Sequence, residues 1–200
     1  MTLLSFREVS DIAEYQLLRW SPWKWFHCCR VSKIAAAFAK HIGLSVEDQR
    51  ALFEAGILHD FGQLLCMNRD LDWKIKDFLT ERDLLEIRSH PDEGYLLLLH
   101  FYNQPEVVEL VRSHHCRLPL GIENEGNEHG YPPEFCKALE WQSKHWCLIL
   151  ADMFDAMVGE RPYAQPLTPA SALLMLRNDA AIGMLDREMV GQFCSWMNSR

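Results

Sequence analysis

Histidine and aspartate side chains stand on apolar faces of several predicted helices, where a soluble protein normally keeps uncharged residues. In one such helix His27 begins an apolar stripe that continues through Val31. In the next helix, His59 and Asp60 lie beside an apolar face. Burying imidazoles and carboxylates without partners costs several kcal/mol each, so these groups must pair with one another or bind a metal ion.

The same pattern recurs in three further segments. His114 and His115 end a strongly apolar row, His90 begins a short helix, and Asp152 and Asp155 lie on the inward row of a long one. Any one of these histidines alone would more often be a satisfied core residue. Their joint occurrence favours a metal site, because imidazole with carboxylate suits borderline-hard transition metals and a helical bundle can supply such ligands from facing helices.

The elements that must position these residues are helices. Apolar residues recur at helical spacing, and no segment shows the alternation of a strand, so the sequence predicts an all-α, single-domain bundle with the metal site between its central helices. Ser45 and Thr168 are predicted N-caps. The predicted helices are 8–20, 23–42, 46–61, 69–79, 81–89, 91–102, 105–115, 133–159, 168–178 and 185–197.

Composition excludes several classes of function. The chain has 200 residues, 48% of them hydrophobic, and can hold its core by packing alone. Its formal charge of −8 argues against nucleic acid duplexes and anionic membranes, and an anionic substrate would need a local source of positive charge. The seven cysteines lack a C-x-x-C pair, which disfavours a thiolate zinc site and suits a reducing compartment. Since no signal or spanning segment is evident, we expect a cytoplasmic protein.

Some segments have two interpretations. The apolar row Met189, Phe193 and Trp196 predicts a C-terminal helix that packs on the domain, with a homodimer or partner surface as the alternative. The aromatic group at positions 20–26 predicts core packing or a wall on which a base could stack. His145 is either a structural residue or a residue that orients a ligand, since it lies two helical turns before Asp152 on the same face.

Six ordered segments together resemble the HD-GYP family of the HD phosphohydrolase superfamily, whose members hydrolyse cyclic di-GMP. The segments are FHCCRV around His27, GILHDFGQL at 56–64, SHPDEGYLLL at 89–98, VRSHH at 111–115, HGYPPE at 129–134 and LADMFDAMVGERPYA at 150–164. The resemblance spans about residues 27–178 and implies an HD-type bundle. It divides the chain into an N-terminal helical segment over 1–22, an HD-GYP-like domain over 23–180, and a C-terminal helix over 181–200 that packs on it.

The resemblance implies a site for two divalent ions, iron or manganese. Matched residue by residue, the ligands are His27, His59, Asp60 and Asp152 for one ion, and Asp60, His90, His114 and His115 for the other. Two ions about 3.5–4 Å apart lower the pKa of a water and neutralise a phosphate oxygen. The implied activity is a metal-dependent phosphodiesterase that hydrolyses cyclic di-GMP or a similar cyclic dinucleotide by a di-metal-activated water, with Asp60 and His59 as catalytic residues.

The resemblance also implies substrate contacts. Arg161 is the expected phosphate ligand, and Gln63, Asp155 and Tyr131 are further substrate-binding candidates. Asp155 could contact a base or serve as a structural cap. We expect the segment 116–132 to be a loop that forms a lid or binds a protein partner, with a disordered segment as the alternative.

The chain departs from the family pattern at several positions. Trp23 stands where some members have a glutamate that recruits a third metal, so we expect two metals. Gln63 replaces a phosphate-facing lysine, and Ala164 stands where a basic residue is usual, which removes two charge-assisted phosphate contacts. Cys116 replaces a glutamate, and an acidic insertion separates His115 from the GYP motif.

These departures leave two other functions open. One is a catalytically weak signalling or protein-interaction domain, related to HD-GYP and to the non-catalytic HDOD domains. The other is an HD-type nucleotidase acting on mononucleotides, because nothing in the metal motif excludes it.

Overall fold

A computed structural model describes residues 3–66, 87–102, 104–118, 131, 133–161 and 165–200. The described residues form helices and contain no β-strand, which confirms the all-α prediction. None of the described helices is long and apolar enough to cross a membrane. In chain order they are α1 (Phe6–Trp20), α2 (Pro22–His41), α3 (Val46–Leu58), α4 (Gln63–Cys66), α5 (His90–Phe101), α6 (Pro105–Ser113), α7 (Pro133–Ala138), α8 (Ser143–Val158), α9 (Pro169–Ala181) and α10 (Arg187–Asn198).

The central element is α2, which packs against α1, α3, α8 and α10. Val31, Ala35 and Phe38 on its apolar stripe are fully buried. At its far end the Phe38 ring lies 5.0 Å from the Phe193 ring and 5.4 Å from the Trp196 ring, centroid to centroid. The C-terminal helix α10 therefore packs on the domain, because aromatic side chains bury large apolar areas. Side chains from 1–22, 23–180 and 181–200 share this core, and the domain boundaries stay a prediction.

Hydrogen bonds fix the starts of two helices where the sequence predicts caps. The Ser45 Oγ accepts from the Asp48 backbone N–H at 3.0 Å. The Thr168 Oγ1 accepts from the Ser171 backbone N–H at 3.1 Å. Such caps satisfy N–H groups that the first turn leaves without a helical partner.

The prediction of one helix over 133–159 is wrong, because α7 and α8 are separate. The Gln142 backbone N–H donates to Nδ1 of His145 at 3.0 Å, and the His145 backbone N–H donates to the Gln142 carbonyl at 3.0 Å. These two hydrogen bonds cap a new helix that begins at Ser143. Nε2 of His145 faces Glu109 Oε1 at 3.2 Å. His145 is thus a buried structural residue, and both of its ring nitrogens are engaged away from Asp152. The predicted helix 69–79 and most of 81–89 lie outside the described residues.

Two glycines allow the site-bearing helices to approach closely. A Cβ on Gly56 would lie 2.4 Å from Cα of Ser32, so α3 can cross α2 only where no side chain intervenes. A Cβ on Gly62 would lie 2.0 Å from the His90 carbonyl oxygen and 2.4 Å from the Gly94 backbone nitrogen. The absence of side chains at these two positions therefore allows α2, α3 and α5 to approach one another around the site.

A disulfide joins Cys116, which follows α6, to Cys136 in α7. A bond between these two cysteines does not fit the reducing compartment that the sequence suggests. They are 20 residues apart and share no C-x-x-C motif, so their spacing did not predict pairing.

Reducing this disulfide is expected to lower the free energy of unfolding by about 3 kcal/mol, because the bond closes a loop of about 20 residues in the unfolded chain. Urea unfolding of oxidised and reduced protein measures the difference. A Cys116→Ser/Cys136→Ser variant should not respond to reductant, whereas Cys29→Ser, at a free cysteine, should respond like the wild type. Equal urea midpoints for oxidised and reduced wild type would contradict the expectation.

Candidate metal centre

The first group of predicted ligands gathers side chains from α2, the end of α3, and α8. Nε2 of His27 lies 3.1 Å from Oδ1 of Asp152 and 3.3 Å from Nε2 of His59. The third distance, from His59 Nε2 to Asp152 Oδ1, is 3.6 Å. All three side chains are buried, because each lies on the inward face or at the inward end of its helix.

The second group lies beside the first and combines the start of α5 with the end of α6. Nε2 of His90 is 2.9 Å from Nε2 of His114. The His115 ring lies 4.2 Å from the His114 ring and 5.1 Å from the His90 ring. Each group offers ligand atoms that lie within 4.8 Å of one another, which is close enough to hold an ion.

The Asp60 carboxylate lies between the two groups. Its Oδ1 is 3.2 Å from Nε2 of His90 in the second group. Its Oδ2 is 3.6 Å from Nε2 of His59 and 3.9 Å from Nε2 of His27 in the first group. Each oxygen of Asp60 therefore faces a different set of imidazoles.

Local hydrogen bonds determine which nitrogen of each imidazole faces the centre. Nδ1 of His59, His90 and His114 lies 2.6–2.8 Å from a backbone carbonyl oxygen, and in each case that carbonyl belongs to the residue three positions earlier. A carbonyl can only accept, so Nδ1 carries the proton in all three rings. The Nε2 lone pairs are then left pointing inward, which is the arrangement of metal-ligating histidine.

The close pairs of Nε2 atoms indicate what the site fits. With the Nδ1 protons assigned, two lone pairs face each other across 2.9 Å between His90 and His114. A cation among these nitrogens would relieve their repulsion, and imidazole with carboxylate is a donor set for transition metals. The residues present therefore fit a metal centre.

The electrostatics of the site also suit metal ligands. Burial alone would raise the pKa of Asp60, but Lys24 and the neighbouring histidines hold it well below its usual range. Asp152 behaves in the same way through its contact with His27. Burial lowers the pKa of His59, and for His114 and His115 it acts together with the neighbouring histidines. Anionic carboxylates and neutral imidazoles are the ligand forms that bind metal.

These shifts predict that metal-free protein loses stability as the pH falls from about 7 to about 5. The unfolded chain takes up protons near the ordinary histidine pKa of about 6.5, whereas folded His59, His114 and His115 resist protonation. Each net proton is worth up to about 1.4 kcal/mol per pH unit. His27 acts in the opposite sense, because its carboxylate contacts outweigh burial and raise its pKa, but it is one residue against three.

Urea midpoints of chelator-treated protein at pH 7.5 and 5.5 measure this effect. A His114→Gln/His115→Gln variant should show a shallower dependence on pH. A wild-type midpoint that is independent of pH over this range would contradict the prediction.

Two expected substrate contacts are engaged with ligands instead. Asp155 accepts from Nδ1 of His27 at 2.7 Å, and its other oxygen accepts from Nε of Arg30 at 2.7 Å. The Gln63 amide donates to Oδ1 of Asp60 at 2.5 Å. These contacts favour positioning of His27 and Asp60 over direct substrate binding, because a buried carboxylate or amide already bonded to a ligand orients that ligand.

Of the other two expected substrate residues, Tyr131 contacts a candidate ligand and Arg161 contacts Trp23. The Tyr131 ring stacks on the His115 ring at 4.5 Å, and its backbone N–H donates to the His115 carbonyl at 3.3 Å. The Arg161 guanidinium lies 5.7 Å from the centre of the Trp23 ring. Ala164 and most of the segment 116–132 lie outside the described residues.

Sequence reasoning missed Lys24 and Arg30. Nζ of Lys24 donates to Oδ2 of Asp60 at 2.7 Å, inside the site. Both residues stand three positions from His27 on the same helix, so they share its face. That spacing could have predicted their place in the site, but lysine and arginine on a helix were taken as exposed surface residues.

The described helices form an all-α bundle that encloses two adjoining groups of candidate metal ligands. The chain belongs to the HD domain family, whose profile matches residues 25–169. Proteins of this family are metal-dependent, and the two groups described above could bind metal.

The curated relatives that this chain resembles include phosphodiesterases named for cyclic dinucleotides. The chain is 29% identical over 164 residues to 3'3'-cGAMP-specific phosphodiesterase 1 of Vibrio cholerae, covering 82% of this chain and 35% of the relative. It is 32% identical over 150 residues to the cyclic di-GMP phosphodiesterase response regulator RpfG of Xanthomonas campestris, covering 74% and 36%. The chain thus spans about a third of the length of these relatives.

A solved structure shows the same fold. The HD domain of the L. monocytogenes phosphodiesterase PgpH, in complex with cyclic-di-AMP, superposes with a TM-score of 0.65. It is 14% identical and the match covers 94% of this chain and 95% of that one. At this identity the likeness concerns the helical architecture.

Proposed function

We propose that the protein is a metal-dependent phosphodiesterase of the HD-GYP type that hydrolyses cyclic di-GMP or a similar cyclic dinucleotide. The observation that carries the proposal is the position of Asp60, whose Oδ1 faces Nε2 of His90 and whose Oδ2 faces the Nε2 atoms of His59 and His27. The names of the relatives support hydrolysis of a cyclic dinucleotide. The sequence resemblance supports the HD-GYP assignment.

In this proposal the chain holds two divalent ions, iron or manganese. When bound, the ions lower the pKa of a water and neutralise charge on the phosphate. Asp60 would be a ligand of both ions, because its two oxygens face different groups. The ligands, by group, are His27, His59 and Asp152, and His90, His114 and His115.

The remaining residues position ligands or substrate. Arg30 and Asp155 hold the His27 ring, so that its Nε2 stays directed inward. Gln63 steadies Asp60 through its amide. Arg161 contacts a phosphate of the substrate, and Tyr131 lies against His115 where it closes one side of the site.

Elemental analysis of protein purified without chelators, run beside hydrolysis assays with added Mn²⁺ or Fe²⁺, tests the proposal. The substrates are cyclic di-GMP, 3'3'-cGAMP and cyclic-di-AMP, with mononucleotides for comparison. We expect about two metal equivalents per chain and a linear dinucleotide product. His90→Gln should lower metal content and turnover, whereas His100→Gln, at an exposed position on the same helix, should leave both unchanged. Protein without bound metal would contradict the proposal.

The alternative is a metal-binding signalling or protein-interaction domain with weak or no catalysis. The Gln63 amide favours it, because this neutral group contacts Asp60 instead of supplying positive charge for a phosphate. Two metal equivalents without turnover of any substrate would support this alternative. A cytoplasmic location, a homodimer and a protein partner at 116–132 stay predictions.

A further inference from the structure

Lys24 places a cation inside an acidic site. Its side chain, in the first turn of α2, is only 12% exposed. Nζ lies 2.7 Å from Oδ2 of Asp60, the carboxylate that faces both groups of histidines. Lysine is rarely this enclosed without a role for its charge, because taking an ammonium group out of water is costly.

The surroundings of Lys24 determine what the charge could serve. Three buried carboxylates, of Asp60, Asp152 and Asp155, line the site, and a cyclic dinucleotide carries two phosphate charges, so a cation of the chain near the centre adds to the charge that the metal ions supply. Arg30 is engaged with Asp155 through two of its nitrogens. Lys24 is closer to the centre, with its ammonium group directly against a proposed metal ligand.

Trp23 brings a second cation to the same edge of the site. The Lys24 ammonium lies 5.0 Å, and the Arg161 guanidinium 5.7 Å, from the centre of the Trp23 ring. Cations at this distance are attracted to an indole face. One aromatic ring therefore contacts two positive groups, one of which also contacts Asp60.

We propose that Lys24 is a substrate-binding residue that donates to a non-bridging phosphate oxygen of the cyclic dinucleotide. It supplies the charge that the neutral Gln63 does not. An ammonium group has three N–H donors, and the contact with Asp60 uses one of them, so a phosphate held beside Asp60 can accept another. Trp23 positions Lys24 and Arg161 for this contact. The assignment rests on the proposed function.

The test compares Lys24→Met, Lys24→Arg and Lys33→Met in the Mn²⁺-loaded full chain. Lys33 is exposed on the same helix and serves as the matched control. The measurements are the affinity for a phosphorothioate analogue of cyclic di-GMP, KM and kcat for cyclic di-GMP, metal content, and helicity by circular dichroism. Loss of a charge-assisted hydrogen bond predicts at least about tenfold weaker binding by Lys24→Met, with unchanged metal content and helicity.

The remaining outcomes separate this assignment from the proposed function. Lys24→Arg should stay within a few-fold of the wild type, and Lys33→Met should match it. Wild-type affinity in Lys24→Met would overturn the assignment, as would loss of metal from that variant, since Lys24 would then act through Asp60 alone. A wild-type protein that neither binds nor hydrolyses these dinucleotides would overturn the proposed function itself, and the assignment with it.

Discussion

Replacing Asp60 by asparagine is expected to abolish metal binding and to lower cyclic dinucleotide hydrolysis by more than about 1,000-fold. The amide keeps the shape of the side chain but removes the charge that faces both groups of histidines. Changes to residues that merely support a ligand cost about 10–100-fold, so removing a ligand shared by two ions should cost more. Elemental analysis and turnover with excess Mn²⁺ measure the two effects.

Asp11→Asn is the matched control for this substitution. Asp11 is an exposed aspartate on α1, paired with Arg7 at 4.0 Å, and its charge should not influence the metal content. If Asp60→Asn kept two equivalents of metal, the bridging role would be refuted. If it kept metal but lost turnover, Asp60 would have a chemical role other than holding the ions.

Replacing Gly62 by alanine is expected to destabilise the protein and to disturb the second group of ligands. The new Cβ would lie 2.0 Å from the His90 carbonyl oxygen and 2.4 Å from the Gly94 nitrogen, and both contacts are with backbone that cannot rotate away. Relief requires the start of α5 to move, which would carry His90 away from Asp60. The cost should be about 3 kcal/mol, at the upper end for overpacking. Urea unfolding and metal content measure the two effects.

Gly191→Ala is the control, because a Cβ there would meet nothing within 4 Å. Gly191 lies within α10, where alanine should stabilise the helix by about 0.5–1 kcal/mol. The same chemical change thus has opposite expected signs at the two positions. A Gly62→Ala protein with wild-type stability and metal content would show that α5 need not approach the turn so closely.

The sequence predicted the inward positions of the candidate ligands, but not the roles of the residues that hydrogen-bond to them. Inward positions of His27, His59 and Asp152 follow from helical periodicity, which depends only on nearby residues. The assignment of these residues to two metals needed the family resemblance, since periodicity alone gives no distances between helices. The roles of Asp155 and Gln63 depend on which neighbours they meet after packing, and the structure places them against His27 and Asp60.

Other features depend on contacts that local pattern cannot supply. The break between α7 and α8 comes from a contact of His145 with Gln142, although the apolar pattern continues across it. The disulfide joins Cys116 to Cys136 across a segment with no regular pattern. The contact of His145 with Gln142 is local, but it involves polar groups that the apolar pattern does not describe, whereas the disulfide joins two elements that meet only after packing.

The carbonyl bonds of His59, His90 and His114 make each of these ligands a unit of four consecutive residues. A hydrogen bond within the unit, between the imidazole at one end and the carbonyl at the other, constrains the direction of the ring. Much of the rotamer entropy of each ring is therefore lost locally, before the metal groups assemble. Because this hydrogen bond lies within four residues, the same unit could be transferred to facing helix ends of an unrelated bundle, where it would direct Nε2 of the histidine toward the space between the helices.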